Sequence, residues 1–119
     1  MKKVIPTVKV WCLPEGLSED QLLILHQGIV KVLAGFMETG VKDEGDMLNL
    51  FPRDLMTYGL GSEIKVEITD LPQKCDERSR YFIAREVGIF VGKIFSAANI
   101  FCTANCVDPE AGIWSFRKE

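Results

Sequence analysis

The chain has 119 residues, room for one domain with a sizeable core, and its 47% hydrophobic and 26% charged content is that of a globular protein. A net charge of -3, with cationic doublets only at Lys2-Lys3 and Arg117-Lys118, leaves no electrostatic footprint for nucleic acid. The apolar run after Lys2-Lys3 is too short and too broken for a secretory signal, and no stretch can span a bilayer, so the expectation is a cytoplasmic protein with neither nucleic-acid nor membrane partners.

Pro6 opens an alternating stretch in which Val8, Val10 and Cys12 point one way and Thr7, Lys9 and Trp11 the other, the period-two pattern of a strand. A proline is tolerated at a strand start, where no ladder N–H is needed. Ser18-Glu19-Asp20-Gln21 then reads as a capping box. Leu22, Leu25, Ile29, Val32 and Phe36 follow at three- and four-residue spacing, which predicts a helix to about Glu38, ended by Thr39-Gly40. His26 lies beside that stripe as a boundary residue.

"DMLNLF" is a shorter strand candidate, and "EIKVEITDL" a regular one with Ile64, Val66 and Ile68 opposed to Lys65, Glu67 and Thr69. Asp76 caps a second predicted helix carrying Ile83, Val87, Phe90 and Ile94 at helical spacing. Arg78, Arg80 and Arg85 alternate there with Glu77 and Glu86, which reads as a solvated face with local ion pairs. Gly28, Gly35, Gly88 and Gly92 allow close packing against a sheet. "NIFCTANCV" is the last strand candidate, and Trp114 and Phe116 beyond it are expected to dock as an anchoring strand or against a neighbouring subunit.

Cys12, Cys75, Cys102 and Cys106 lack the pairings of a zinc site, and His26 is the sole histidine, so free thiols and no metal or cofactor are expected. Cys102 and Cys106 are too far apart to bridge along an extended strand.

The order is β-α-β-β-α-β, and its halves match. Laying "PTVKVWCLPEGLSED" over "IKVEITDLPQKCDER" sets Val8 on Val66, Val10 on Ile68, Leu13 on Leu71, Pro14 on Pro72 and Ser18 on Asp76, at one offset of 58 residues. The expectation is a single α+β domain over 1–119 with an internal repeat of roughly 4–60 and 62–116. The duplicated β-α-β units would form a four-stranded sheet with two helices on one face. The other face carries Thr7, Lys9, Trp11, Lys65, Glu67 and Thr69, a mixed surface suited to a subunit interface or a wet channel.

"PTVKVW", the "EGLSEDQ" helix start and "LMTYGLGSE", with a second ending at "AGIW", carry a resemblance to the tautomerase superfamily. That superfamily includes 4-oxalocrotonate tautomerase, carboxymethyl-hydroxymuconate isomerase and macrophage migration inhibitory factor. The resemblance covers nearly the whole chain and implies a homotrimer around a central channel, acting on a small organic (2-oxo or enol) acid without a cofactor. It also implies that Pro6 occupies the place of the superfamily's catalytic base, a free N-terminal proline whose amine an apolar pocket makes less basic. Here Ile5 precedes Pro6, so the nitrogen is an amide and holds no basic lone pair. A tautomerase or isomerase of this sequence would act through another group or from a chain processed to begin at Pro6.

The superfamily's carboxylate-clamping arginines fall on Gly16-Leu17 and Glu44–Met47, where this chain has none. The pocket-closing aromatic falls on Tyr58, and Arg53 and Lys9 are the nearby cations that would line a substrate pocket. Alternatively, Tyr58 is a turn aromatic beside Gly59 and Gly61, and Arg53 an exposed turn residue paired with Asp54. Gly59-Leu60-Gly61 opens no helix and is no phosphate loop.

Overall fold

The computed structural model describes residues 5–52 and 63–107. Six elements follow in chain order: β1 (Thr7–Trp11), α1 (Glu19–Ala34), β2 (Leu48–Leu50), β3 (Glu63–Leu71), α2 (Glu77–Ile94) and β4 (Asn99–Cys106). The strands form one mixed sheet in the order β2-β1-β3-β4. β1 and β3 run antiparallel at its centre, with Val8 opposite Ile68 and Lys9 opposite Glu67. Each outer strand pairs in parallel with its inner neighbour, as a helical crossover from β1 or β3 requires.

Alternation in the sequence becomes two faces of the sheet. Val8, Val10, Ile64, Val66 and Ile68 are buried under the helices, against Leu25, Ile29 and Leu33 of α1 and Ile83, Val87 and Val91 of α2. Each such side chain contributes roughly 1.5–3 kcal/mol by leaving water. Gly88 and Gly92 bring α2 down on the sheet, where a Cβ at either would sit 3.6 Å from Cys102 or Ile100. Gly28 serves the other contact: the Phe90 ring of α2 fills the space a Cβ would need. That glycine therefore sets the distance between helices, not between helix and sheet.

Both helices start as their caps dictate. Ser18 Oγ accepts from Gln21 N at 3.1 Å while Gln21 Oε1 accepts from Ser18 N at 2.8 Å. Asp76 Oδ1 accepts from Ser79 N at 2.8 Å. The end of α1 differs from expectation: it stops at Ala34, four residues short of Glu38, with Gly35 as its C-cap and a 3-10 turn over Met37–Thr39. Phe36 is extended at φ -112°, ψ 106°. Thr39 is 1% exposed, and its Oγ1 lies 2.9 Å from Leu33 O and 2.8 Å from Phe36 O. Those two carbonyls also accept the Phe36 and Thr39 amides at 3.0 Å each, so tighter turns and a side-chain hydroxyl together stand in for further helix.

All four cysteines are free. Among the described residues, no helix is long and apolar enough to cross a membrane.

Candidate functional site

Two features outside the core have the character of sites: the uncovered sheet face and a cavity where α1 begins. The face follows from the strand register. Lys9 lies between Leu50 and Glu67, and Trp11 opposite Lys65, which in turn faces Phe101. Trp11 Nε1 donates to Glu67 Oε1 at 2.7 Å, and Lys65 Nζ is 3.8 Å from the other oxygen of that carboxylate. Polar groups thus hold the middle while Leu48, Leu50 and Phe101, at 45%, 39% and 58% exposure, stand uncovered on the outer strands.

The cavity, about 260 Å³, is lined by Leu13, Pro14, Glu15, Gly16, Leu17, Leu22, Phe51 and Pro52. Gly16 turns the chain there at φ 83°, a conformation open to glycine at no cost. Leu22, which the helical stripe assigned to the core, is only half-buried because it forms the cavity wall. The capping box occupies the amides of Ser18 and Gln21, and Glu15 is the one charged side chain among the lining residues.

Pro6 is buried at the opposite end of β1, a strand spanning roughly 17 Å. Its carbonyl accepts Leu48 N at 3.0 Å, which begins the pairing of β2 with β1. Lys9 points to the uncovered face beside Glu67, away from the cavity. The structure therefore brings neither Pro6 nor Lys9 to the cavity. Tyr58 and Arg53 lie outside the described residues, as do Trp114 and Phe116.

Two polar clusters escaped sequence reading. His26 Nε2 meets Glu44 Oε1 at 3.0 Å, and its Nδ1 meets Asn49 Nδ2 at 2.6 Å, tying α1 to the turn before β2. Asn49 Oδ1 is buried without a partner. At the start of α2, Arg80 Nη1 donates to Cys75 O and Cys106 Sγ, each at 3.2 Å. Arg80 is thus turned inward across the loop, not outward onto a solvated face, whereas Arg85 pairs locally with Glu86 at 2.8 Å. Burial pushes the Cys75 thiol up to about 11 and the Cys102 thiol up to about 12.

No family model matches the chain, and no curated protein does. Solved structures do match. N1, a member of the cis-3-chloroacrylic acid dehalogenase family, superposes with a TM-score of 0.67 at 10% identity over 88% of this chain and 77% of its own. A fused 4-OT, described as a wild-type asymmetric trimer, matches with a TM-score of 0.60 at 11% identity over 82% and 85%. Malonate semialdehyde decarboxylase matches with a TM-score of 0.54 at 14% identity over 96% and 91%. These are tautomerase-superfamily structures, and the chain has their α+β fold.

Proposed function

We propose that this protein is a homotrimer of the tautomerase fold that binds a small organic acid and does not use Pro6 as an amine base. The observation that carries the assembly is the uncovered face. Leu48 and Leu50 on β2 and Phe101 on β4 flank a row of polar groups on the central strands, so exposed apolar edges could meet neighbouring subunits while the polar row lines a wet channel. The fused 4-OT among the structural neighbours is itself described as a trimer. The chemical half of the proposal rests on Pro6, which is buried and joined to Ile5 by an amide. An amide nitrogen cannot take up the proton that keto–enol transfer requires.

The test compares the full chain with a chain shortened to begin at Pro6. Keto–enol conversion of phenylpyruvate and of 2-hydroxymuconate is followed by absorbance, and mass by light scattering. The expected result is a trimer in both cases and no turnover by the full chain. Turnover by the full chain at the rate of the shortened one would overturn the blocked-amine reading. Turnover by the shortened chain alone would mean that the preceding residues mask a competent site.

A further inference from the structure

The loop before α2 gathers side chains that neither the uncovered face nor the α1 cavity uses. Cys106 closes β4 half-buried, with Sγ 3.0 Å from Cys75 O and 3.3 Å from Pro72 O. The Arg80 guanidinium donates to the same sulfur at 3.2 Å. Counted from the caps Ser18 and Asp76, Cys75 and Arg80 stand where Leu17 and Leu22 stand at the start of α1. Those two leucines line the open cavity. At the start of α2 the corresponding place holds a cation against a thiol.

The hydrogen bond to Cys106 holds the Arg80 guanidinium above its ordinary value, so the cation persists across the working pH range. Of the nearby carboxylates, Asp76 and Glu38 are engaged with Ser79, through its N–H at 2.8 Å and its hydroxyl at 2.6 Å, while Glu77 acts on Arg80 through its charge. Reactive cysteines occupy partly exposed, electropositive places, and buried ones are inert. Cys75 and Cys102 belong to the inert class, being raised by burial.

We propose that Cys106 and Arg80 form a thiol–guanidinium site that captures small carbon electrophiles carrying a carboxylate. A guanidinium has five N–H donors in a fork matched to a carboxylate, so the group that contacts the sulfur also receives the ligand's charge. With iodoacetate the step is a displacement. A sulfur–carbon bond forms, the carbon–iodine bond breaks, iodide leaves with the bonding pair, and the thiol proton passes to solvent. The site does not depend on the trimer or on Pro6.

Iodoacetate and its neutral counterpart iodoacetamide are the probes. Each is applied to the folded full chain at low ionic strength, with labelling of Cys106 and of half-buried Cys12 read separately by peptide mass mapping. The iodoacetate-to-iodoacetamide rate ratio is expected to be at least about threefold higher at Cys106 than at Cys12, the scale of one nearby solvent-exposed charge. Added salt should bring it toward the Cys12 value. Arg80→Gln should abolish the difference, and Arg80→Lys, which keeps the charge, should retain part of it. Equal ratios at the two cysteines, a salt-independent difference, no labelling of Cys106 in the folded chain, or a difference surviving Arg80→Gln would each overturn the proposal. If Arg80→Gln fails to fold, the wild-type ratio and its salt dependence decide the matter.

Discussion

Cys12 and Asp70, 58 positions apart, leave the two central strands in the same left-handed backbone conformation, at φ 69° and 62°. They are the only non-glycine residues with positive φ among the described residues. Cys12 follows the last residue of β1, and Asp70 sits where the β3–β4 register shifts between Ile68 and Leu71. Each bend aims the chain at a Leu-Pro pair and then at a helix cap.

Asp70→Val should therefore destabilise the fold by about 1–2 kcal/mol, because a β-branched side chain in the left-handed region meets its own carbonyl. Asp70→Asn should stay within about 0.5 kcal/mol, since asparagine adopts that region readily. Urea denaturation of the three chains measures both. A valine variant as stable as the parent would show that the bend imposes no such conformation.

Gly28→Ala places a methyl where the Phe90 ring lies, so a loss of about 1–3 kcal/mol is expected from overpacking. Phe90→Leu should cost stability alone but recover part of the loss in combination. A double-mutant cycle should then give a coupling of at least about 0.5 kcal/mol, and additive losses would exclude a direct clash.

Ser79 contributes to the acid limb of stability. Its hydroxyl holds the Glu38 carboxyl below its ordinary value of 4.5; Asp76, whose ordinary value is 3.8, is lowered first by the Ser79 backbone N–H and then by the same hydroxyl. A depressed folded-state pKa means that the unfolded chain binds more protons in this range, so the contribution is present above the ordinary value and lost as pH falls below it. Ser79→Ala removes the hydroxyl and keeps the N–H. Its stability should drop less steeply than the parent's from about pH 5 downward. Thermal melts between pH 3 and pH 7 would show parallel curves if neither carboxyl depended on the Ser79 hydroxyl.

Phe101→Asp puts a charge on the uncovered face without touching the core, since Phe101 is 58% exposed. If that face is a subunit contact, the variant should weaken assembly at least tenfold, as desolvating an unpaired carboxylate does, while the circular dichroism of the folded chain persists. Light scattering at micromolar concentration distinguishes this from an unchanged mass.

The strand Glu63–Leu71 was legible from Ile64 to Ile68, because one face is buried and the other uncovered and the period of two survives in the sequence up to the bend at Asp70. The start of each helix was equally plain, since a cap is a local interaction across three residues. The end of α1 was not, because Thr39 competes for carbonyls through a hydroxyl whose direction depends on the packed turn. Arg80 was misread for a related reason. Its three-residue spacing from Glu77 suggests a local pair, while its partner Cys106 is 26 residues away on the edge of the sheet. The α1 cavity has no sequence signature at all. Its walls come from a loop, one helical leucine and the residues after β2, and only their arrangement in space leaves a gap.

The bond between the Pro6 carbonyl and the Leu48 N–H has a consequence for how the chain would tolerate shortening. Proline has no N–H to give, so everything it contributes to the ladder leaves through its carbonyl, on the side away from Ile5. Cutting the peptide link before it would create a secondary amine and leave the seam between β1 and β2 closed. Among the described residues, the hydrogen bond forfeited is the long one, 3.5 Å, from the Thr7 hydroxyl to Ile5 O. The residue whose nitrogen is now chemically silent thus keeps its stitch to β2 whichever residue stands before it.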